Sequence, residues 1–234
     1  MNERVGLLKH LGAAFAILCA TAPQTFASEP TAPPSNWSGF YAGVQAGYGW
    51  GNNTYTFTPV PESTDVDVGG WVGGATLGVN WQRGTVVFGI EGDASFSDLG
   101  GYENTRTNPA PTTPCLLFGP TQGCSGDVNW FATLRARAGV AMGSMMPFVT
   151  GGLAVAGVEG FADTGACGGP VCRYDETKVG WVVGGGLEAM LRDGWTVKVE
   201  YLYVDLGEPK FTAPTVQADN IDFSVIRAGL NFRF

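Results

Sequence analysis

The sequence predicts an all-β chain: an eight-stranded antiparallel up-and-down transmembrane β-barrel with short periplasmic turns and four long extracellular loops. Three observations carry this expectation. Eight segments of about ten residues alternate apolar with small or polar residues, the links between them alternate short and long, and tryptophans gather at both ends of the segments. The composition agrees, since 44% of the 234 residues are hydrophobic, only 15% are charged and 36 are glycine. Those glycines lie scattered through apolar stretches, with neither a collagen triplet nor a linker cluster. A formal net charge of -8 leaves no basic footprint, so nucleic acid is excluded as a partner.

Residues 1–27 read as a secretory signal peptide, with Arg4 and Lys9 in the basic region, an apolar run over 11–22 and Thr25, Phe26 and Ala27 at the cleavage site. The run is too short for a bilayer core of about 30 Å, which argues against a retained anchor. Cleavage removes His10, the only histidine, together with one acidic and two basic residues, so the mature net charge becomes -9. Residues 28–36 form a Pro-rich periplasmic leader containing Pro30, Pro33 and Pro34, and residues 37–234 form the barrel.

The first segment puts Phe40, Ala42, Val44, Ala46, Tyr48 and Trp50 on one face, with Tyr41, Gln45 and glycines on the other. The second sets Trp71, Ala75, Leu77, Val79 and Trp81 against Gly74, Thr76, Gly78 and Asn80; the third sets Val86, Phe88, Ile90, Ala94 and Phe96 against Gly89, Glu91, Asp93 and Ser95. In the fourth, Val128, Trp130, Ala132, Leu134, Ala136 and Val140 oppose Asn129, Thr133, Arg135, Arg137 and Gly139. The fifth is the weakest, Val149, Leu153 and Val155 against Thr150, Gly152 and Ala154. The sixth opposes Val179, Trp181, Val183, Leu187 and Leu191 to Lys178, Gly180, Gly184, Gly186 and Glu188. Trp195, Val197, Val199, Tyr201 and Tyr203 oppose Thr196, Lys198 and Glu200 in the seventh. The last opposes Ile226, Ala228, Leu230, Phe232 and Phe234 to Arg227, Gly229, Asn231 and Arg233.

Ten residues rising ~3.3 Å each at a tilt of about 40° cross roughly 25 Å, the height of the apolar band on an outer-membrane barrel. Short links follow Trp81 (Gln82, Arg83, Gly84), Ala141 (Met142, Gly143, Ser144) and Leu191 (Arg192, Asp193, Gly194). Long links span 51–68, 97–127, 157–177 and 206–219. Three tight turns and four long loops place both ends of the chain in the periplasm. A soluble sandwich or lipocalin-like barrel would bury the greasy face, whereas here the charges share a face with the glycines. Trp50, Trp71, Trp130 and Trp181 fall at the long-loop end and Trp81 and Trp195 at the short-turn end, as two interfacial girdles.

The inward positions hold Glu91, Asp93, Glu188 and Glu200 against Arg135, Arg137, Lys198 and Arg227. Eight strands leave an interior just wide enough for side chains, where charges are tolerable only when paired. Counting from the turn at Asp193 sets Glu188 opposite Lys198. Strand order brings Glu91 and Asp93 to Arg135 and Arg137, and Glu200 to Arg227. The expectation is a plug of ion pairs, with inward glycines leaving room for a narrow passage. No nucleophile with a base, histidine centre or metal constellation accompanies the carboxylates, so neither catalytic residues nor a cofactor or metal site are assigned.

The mature chain keeps four cysteines, read as two local disulfides, Cys115 with Cys124 and Cys167 with Cys172. Three connectivities are open to four cysteines, and zinc binding lacks its usual CxxC spacing. Acidic loop residues Glu62, Asp65, Asp67, Glu159, Asp163, Asp175 and Glu176 are candidates for divalent cations that bridge lipopolysaccharide. Solvation is preferred, because no EF-hand spacing accompanies them.

Four stretches carry a family resemblance: Asn36, Trp37, Ser38, Gly39, Phe40, Tyr41, Ala42 and Gly43 opening the first strand; Thr150, Gly151, Gly152, Leu153 and Ala154 in the fifth; residues 199–207, from Val199 to Gly207, in the seventh; and a terminal Phe234. From Trp37 to Phe234 the chain resembles the small outer-membrane immunogenic, or porin-like opacity-type, β-barrel proteins of alphaproteobacteria. The resemblance implies outer-membrane localisation in a Gram-negative bacterium and surface-exposed antigenic loops. It also implies insertion by the barrel-assembly machinery through the last strand, with Phe232 and Phe234 as the C-terminal signal. The loop cysteines are not assumed to be a family feature.

The sequence therefore favours a non-enzymatic structural and surface-exposed protein surrounded by outer-membrane lipid and lipopolysaccharide. Its competitors are a narrow diffusion pore, through one barrel or an oligomer, and capture of a ligand, haem or a host protein by the loops. Without histidine, haem would need Tyr, Met or Cys. An acyltransferase or protease is disfavoured by the same lack.

Overall fold

The computed structural model describes residues 36–57, 62–104, 123–162, 172–207 and 216–234. The signal, all of the leader but Asn36, Cys115, Cys167 and the loop tips lie outside these residues. Eight strands follow one another: β1 (Gly39–Phe57), β2 (Glu62–Arg83), β3 (Val86–Asn104), β4 (Gly123–Val140), β5 (Met145–Ala162), β6 (Cys172–Met190), β7 (Trp195–Asp205) and β8 (Val216–Arg233). Each pairs antiparallel with the next, and β8 returns to β1 from Tyr41↔Arg233 to Phe57↔Val216, which closes the barrel. Closure leaves no sheet edge where β8 meets β1, which a wall in hydrocarbon requires.

The short links are tighter than the sequence reading placed them. β2 runs through Gln82 and Arg83, and the chain reverses over Gly84 and Thr85. Gly84 and Gly143 each take φ 63°, and Asp193 and Gly194 take 58° and 82°. Positive φ at both central residues is the type I′ geometry that Asp-Gly favours, because its twist matches the flanking strands.

The strands are much longer than ten residues. All but β7, with 11 residues, have 18 to 22. At ~3.3 Å per residue and a tilt of about 40°, nineteen residues stand roughly 45–50 Å tall, about twice the apolar band. Much of what the sequence assigned to loops 51–68, 97–127, 157–177 and 206–219 is therefore paired wall rising beyond the membrane. Those stretches lack the clean alternation that lipid imposes, so a strand in water there leaves little period-two signal.

Alternation places the lipid-facing side chains as expected in β1, β2, β3, β5, β6, β7 and β8, with one correction in β4. Val128 was grouped with Trp130 on the outer face and Asn129 with the inner one; Val128 is buried inside and Asn129 is exposed. The register against β5 slips between Val128 and Trp130, and that against β3 between Phe96 and Leu99. A β-bulge inserts one unpaired residue, and a period-two count made across it reverses faces.

Candidate functional site

The interior is stacked in three layers along the barrel axis. At the periplasmic end Trp37, which precedes β1, is fully buried against Val87 and Met146, with Ala141 and Met190 beside it. Its backbone N–H donates to Gln82 Oε1 at 2.6 Å, and the Arg233 guanidinium lies 5.8 Å from its ring centroid. Arg233 Nη2 also donates to the carbonyls of Asn36 (2.5 Å) and Ser38 (3.0 Å), tying the segment before β1 to the end of β8.

The middle layer holds all eight charged residues singled out from the sequence, and every one is buried. Arg135 reaches Glu91 (2.5 Å), Asp93 (2.9 Å) and Glu200 (2.9 Å). Arg227 grips both Asp93 oxygens, at 2.9 and 3.0 Å, and donates through Nε to Glu200 at 2.9 Å. Lys198 donates to both Glu91 oxygens, at 2.9 and 3.0 Å, and lies 2.9 Å from Glu200. Arg137 pairs with Glu188 (2.6 Å) and Glu91 (3.4 Å) and stacks on Phe148, 4.3 Å from its centroid. Tyr41 O–H, Thr133 O–H and Thr196 O–H donate to Glu91, Asp93 and Glu188 at 2.7, 2.5 and 2.6 Å. Four acids thus meet four bases, and hydroxyls add a hydrogen bond to three of the acids, the kind of pairing under which buried ions are tolerable.

The neighbouring-strand pairs expected from the sequence are present, Glu91 and Asp93 with Arg135, Glu91 with Arg137 and Glu200 with Arg227, but Glu188 and Lys198 find other partners. Glu188 and Lys198 do face each other across β6 and β7, yet Glu188 binds Arg137 from β4 and Lys198 binds Glu91 from β3. Asp93 takes Arg135 and Arg227. Glu91 with Lys198, Arg135 with Glu200 and Asp93 with Arg227 cross the lumen and tie opposite walls together. Long side chains on a narrow barrel reach across it as readily as along it. The sequence shows the neighbours; only closure shows the opposites.

The third layer was not anticipated. Above the ions, inward side chains turn apolar: Leu99, Val128, Phe131, Val158, Leu202, Val204, Leu206, Ile221, Phe223 and Val225 form one buried cluster. Phe131 and Phe223 meet edge to face at 5.4 Å between centroids. The expectation of a small or polar inner face fails in this half of the barrel. Its signal lay in runs where both faces are apolar, such as 130–131, 181–183 and 201–204, because a strand buried on both sides loses its alternation.

On the outer surface all six girdle tryptophans are exposed. Trp71 packs edge-on against Tyr48, and Trp50 and Trp181 pack at a tilt against Tyr201 and Tyr203, at centroid distances of 5.7, 6.3 and 5.5 Å, while Trp130 pairs in register with Phe96. At the periplasmic end Trp81 pairs with Phe88, and Trp195, Phe232 and Phe234 form a chain of ring contacts. The seventh tryptophan is Trp37, inside. Of the cysteines, Cys124 and Cys172 begin or nearly begin β4 and β6, and each is a register partner of Ala162. Their side chains lie outside the described residues. No cluster of three or more potential metal ligands occurs among the described residues.

Comparison with known proteins agrees with this architecture. The sequence model for the outer membrane protein beta-barrel domain matches residues 11–234. The chain is 34% identical over 246 residues to the 31 kDa outer-membrane immunogenic protein of Brucella melitensis, an alignment covering 97% of this chain and 98% of that one. A 22 kDa outer membrane protein of Rhizobium leguminosarum is 30% identical over 83 residues, covering 36% of each chain. Among solved structures, Neisserial surface protein A aligns with a TM-score of 0.45 at 14% identity, over 84% of this chain and 98% of that one. With a closed eight-stranded barrel and a relative matched end to end, the chain belongs to the outer membrane protein beta-barrel family, among the immunogenic proteins of alphaproteobacteria, and resides in the outer membrane of a Gram-negative bacterium.

Proposed function

We propose that this is a sealed, non-enzymatic barrel whose work is done on its extracellular face, as an envelope component carrying antigenic or recognition loops. One observation supports the reading above others: the lumen is filled in three successive layers, an aromatic stopper, a neutral ion network and an apolar cluster. A side-chain-filled barrel of eight strands has no route for a solute. The paired wall beyond the girdles lifts the loops away from the lipid, which suits display. The relatives' description as immunogenic fits such exposure.

In this reading lipid and lipopolysaccharide cover the outer band between the girdles. The barrel-assembly machinery engages β8, where Phe232 and Phe234 stand on the outer surface at the chain end. The ion network serves stability alone. Glu188→Gln should therefore lower the barrel's resistance to denaturant and leave the permeability of proteoliposomes to small solutes unchanged. Unchanged stability with altered permeability would replace this reading by the diffusion pore.

A further inference from the structure

The lipid-facing surface carries a groove of about 560 Å³ over β2 and β3, between Phe40 on β1 and Leu134 on β4. Phe40, Leu77, Ile90 and Leu134 all stand out from the wall as exposed side chains. Gly92 lies among them, between its register partners Leu77 and Leu134.

The wall itself does not call for a glycine at this position. Glycine inside a strand weakens it and marks a bulge, a bend, or the close approach of a ligand or second backbone. The register runs past Gly92 without a slip on either side, so there is no bulge here. Nor is a side chain excluded by space, because a Cβ on Gly92 would meet nothing closer than the Thr133 carbonyl oxygen at 3.8 Å. Inward glycines of the same strands differ, since a Cβ on Gly78 or Gly89 would run into Tyr41 or Asn80. Close approach from the lipid side is the reason that remains.

Height and charge select the occupant. Trp71 and Trp81 bound the apolar band on β2, so its middle falls at Thr76. Leu77 and Val79, with their partners Gly92 and Ile90, therefore lie in the half nearer the periplasm, which inner-leaflet acyl chains fill. Arg83 continues the same outer face of β2 beyond Trp81; it is exposed there and unpaired among the described residues. Leu77 stands six residues from Arg83, about 15 Å along the barrel axis, or half of a hydrocarbon core of about 30 Å. The opposite end of this face is acidic, with Asp98 on β3 and Asp127 on β4 beyond the girdle, and repels the phosphates of lipopolysaccharide.

We propose that this groove binds a phospholipid of the inner leaflet, with its phosphate at Arg83 and one acyl chain seated over Gly92 between Leu77 and Leu134. The inference rests on the lipid-covered outer band and holds whether or not the lumen is sealed. Native mass spectrometry tests it, on protein extracted from outer membranes in mild detergent and on delipidated protein after addition of phosphatidylglycerol. One phospholipid should stay bound at collision energies that strip the detergent. Gly92→Leu, which fills the groove, should lose it, and Arg83→Gln should retain severalfold less. Gly151→Leu, on the lipid face of β5 where a Cβ meets nothing closer than 3.5 Å, should keep it. No retained phospholipid, lipopolysaccharide in its place, or equal retention by Gly92→Leu and the parent would overturn the proposal. Equal loss in Gly151→Leu would do the same, because it would reduce the adduct to lipid bound anywhere on the band. Should Gly92→Leu fail to fold, Arg83→Gln decides, and retention equal to the parent's removes the phosphate contact. No conductance enters these readouts, so failure here is separable from failure of the sealed-barrel reading.

Discussion

Arg135 holds three carboxylates at once, those of Glu91, Asp93 and Glu200, and has no exposed atom through which water could replace it. Buried ion pairs often stabilise no more than apolar side chains would, but removing one partner strands the other. Arg135→Gln should cost about 3–5 kcal/mol of unfolding free energy, the range for breaking a buried pair. Glu188→Gln should cost less, because Thr196 and Asn231 remain to bond the amide. Denaturant titration in detergent micelles or vesicles checks both. Similar values for the two would mean that the network acts as one delocalised unit. The eight charges are legible in the sequence because they fall at inward positions of a period-two pattern. Pairs on neighbouring strands, such as Glu91 with Arg135 and Glu200 with Arg227, are legible too, whereas Glu91 and Lys198 belong to strands four places apart and meet only after closure.

Among the elements, the tight turns and the bulge carry the sharpest consequences. Asp193 adopts φ 58°, a conformation that L-residues enter at a cost of roughly 1–2 kcal/mol and β-branched ones resist most. Asp193→Val should lower stability by about that amount, and Asp193→Gly should be neutral or favourable; unfolding midpoints of the pair decide. Glycine and Asp-Gly steps made these turns readable to within a residue. The β4 bulge at Asn129 was not readable, because an inserted residue leaves each half-strand with sound alternation. The tall extracellular wall escaped for a related reason: beyond the lipid, the outer face is free to be polar and the inner face becomes apolar. Phe131→Ala should cost about 3–5 kcal/mol, as expected for a fully buried core aromatic. A cost near zero would show that this plug is loosely packed.

As a whole molecule, the barrel is an inside-out protein in its lower half and an ordinary one in its upper half. Between the girdles, exposed side chains such as Leu77, Phe88 and Val149 face lipid while ions fill the centre. Above them the tube has a greasy core and stands in water. Class, strand number and topology followed from period two, loop alternation and the tryptophan belts, because hydrocarbon imposes those patterns on every strand. The sequence favoured a plug of ion pairs over a narrow passage, but inward glycines and charges suit both, and the apolar layer beyond the ions left no such signal. Trp37, which the sequence marks only as the opening of the barrel, and the Phe131–Phe223 contact, which it does not mark at all, are the buried groups at the two ends on which the proposed sealing rests.

Single-channel recording in a planar lipid bilayer tests that closure most directly, on the mature protein and on its Glu188→Gln and Arg135→Gln variants. The sealed barrel predicts silence from the parent protein and from both variants, since the apolar layers remain in each. Steady conductance whose size changes with either substitution would contradict it, and would make the charged residues the lining of a pore.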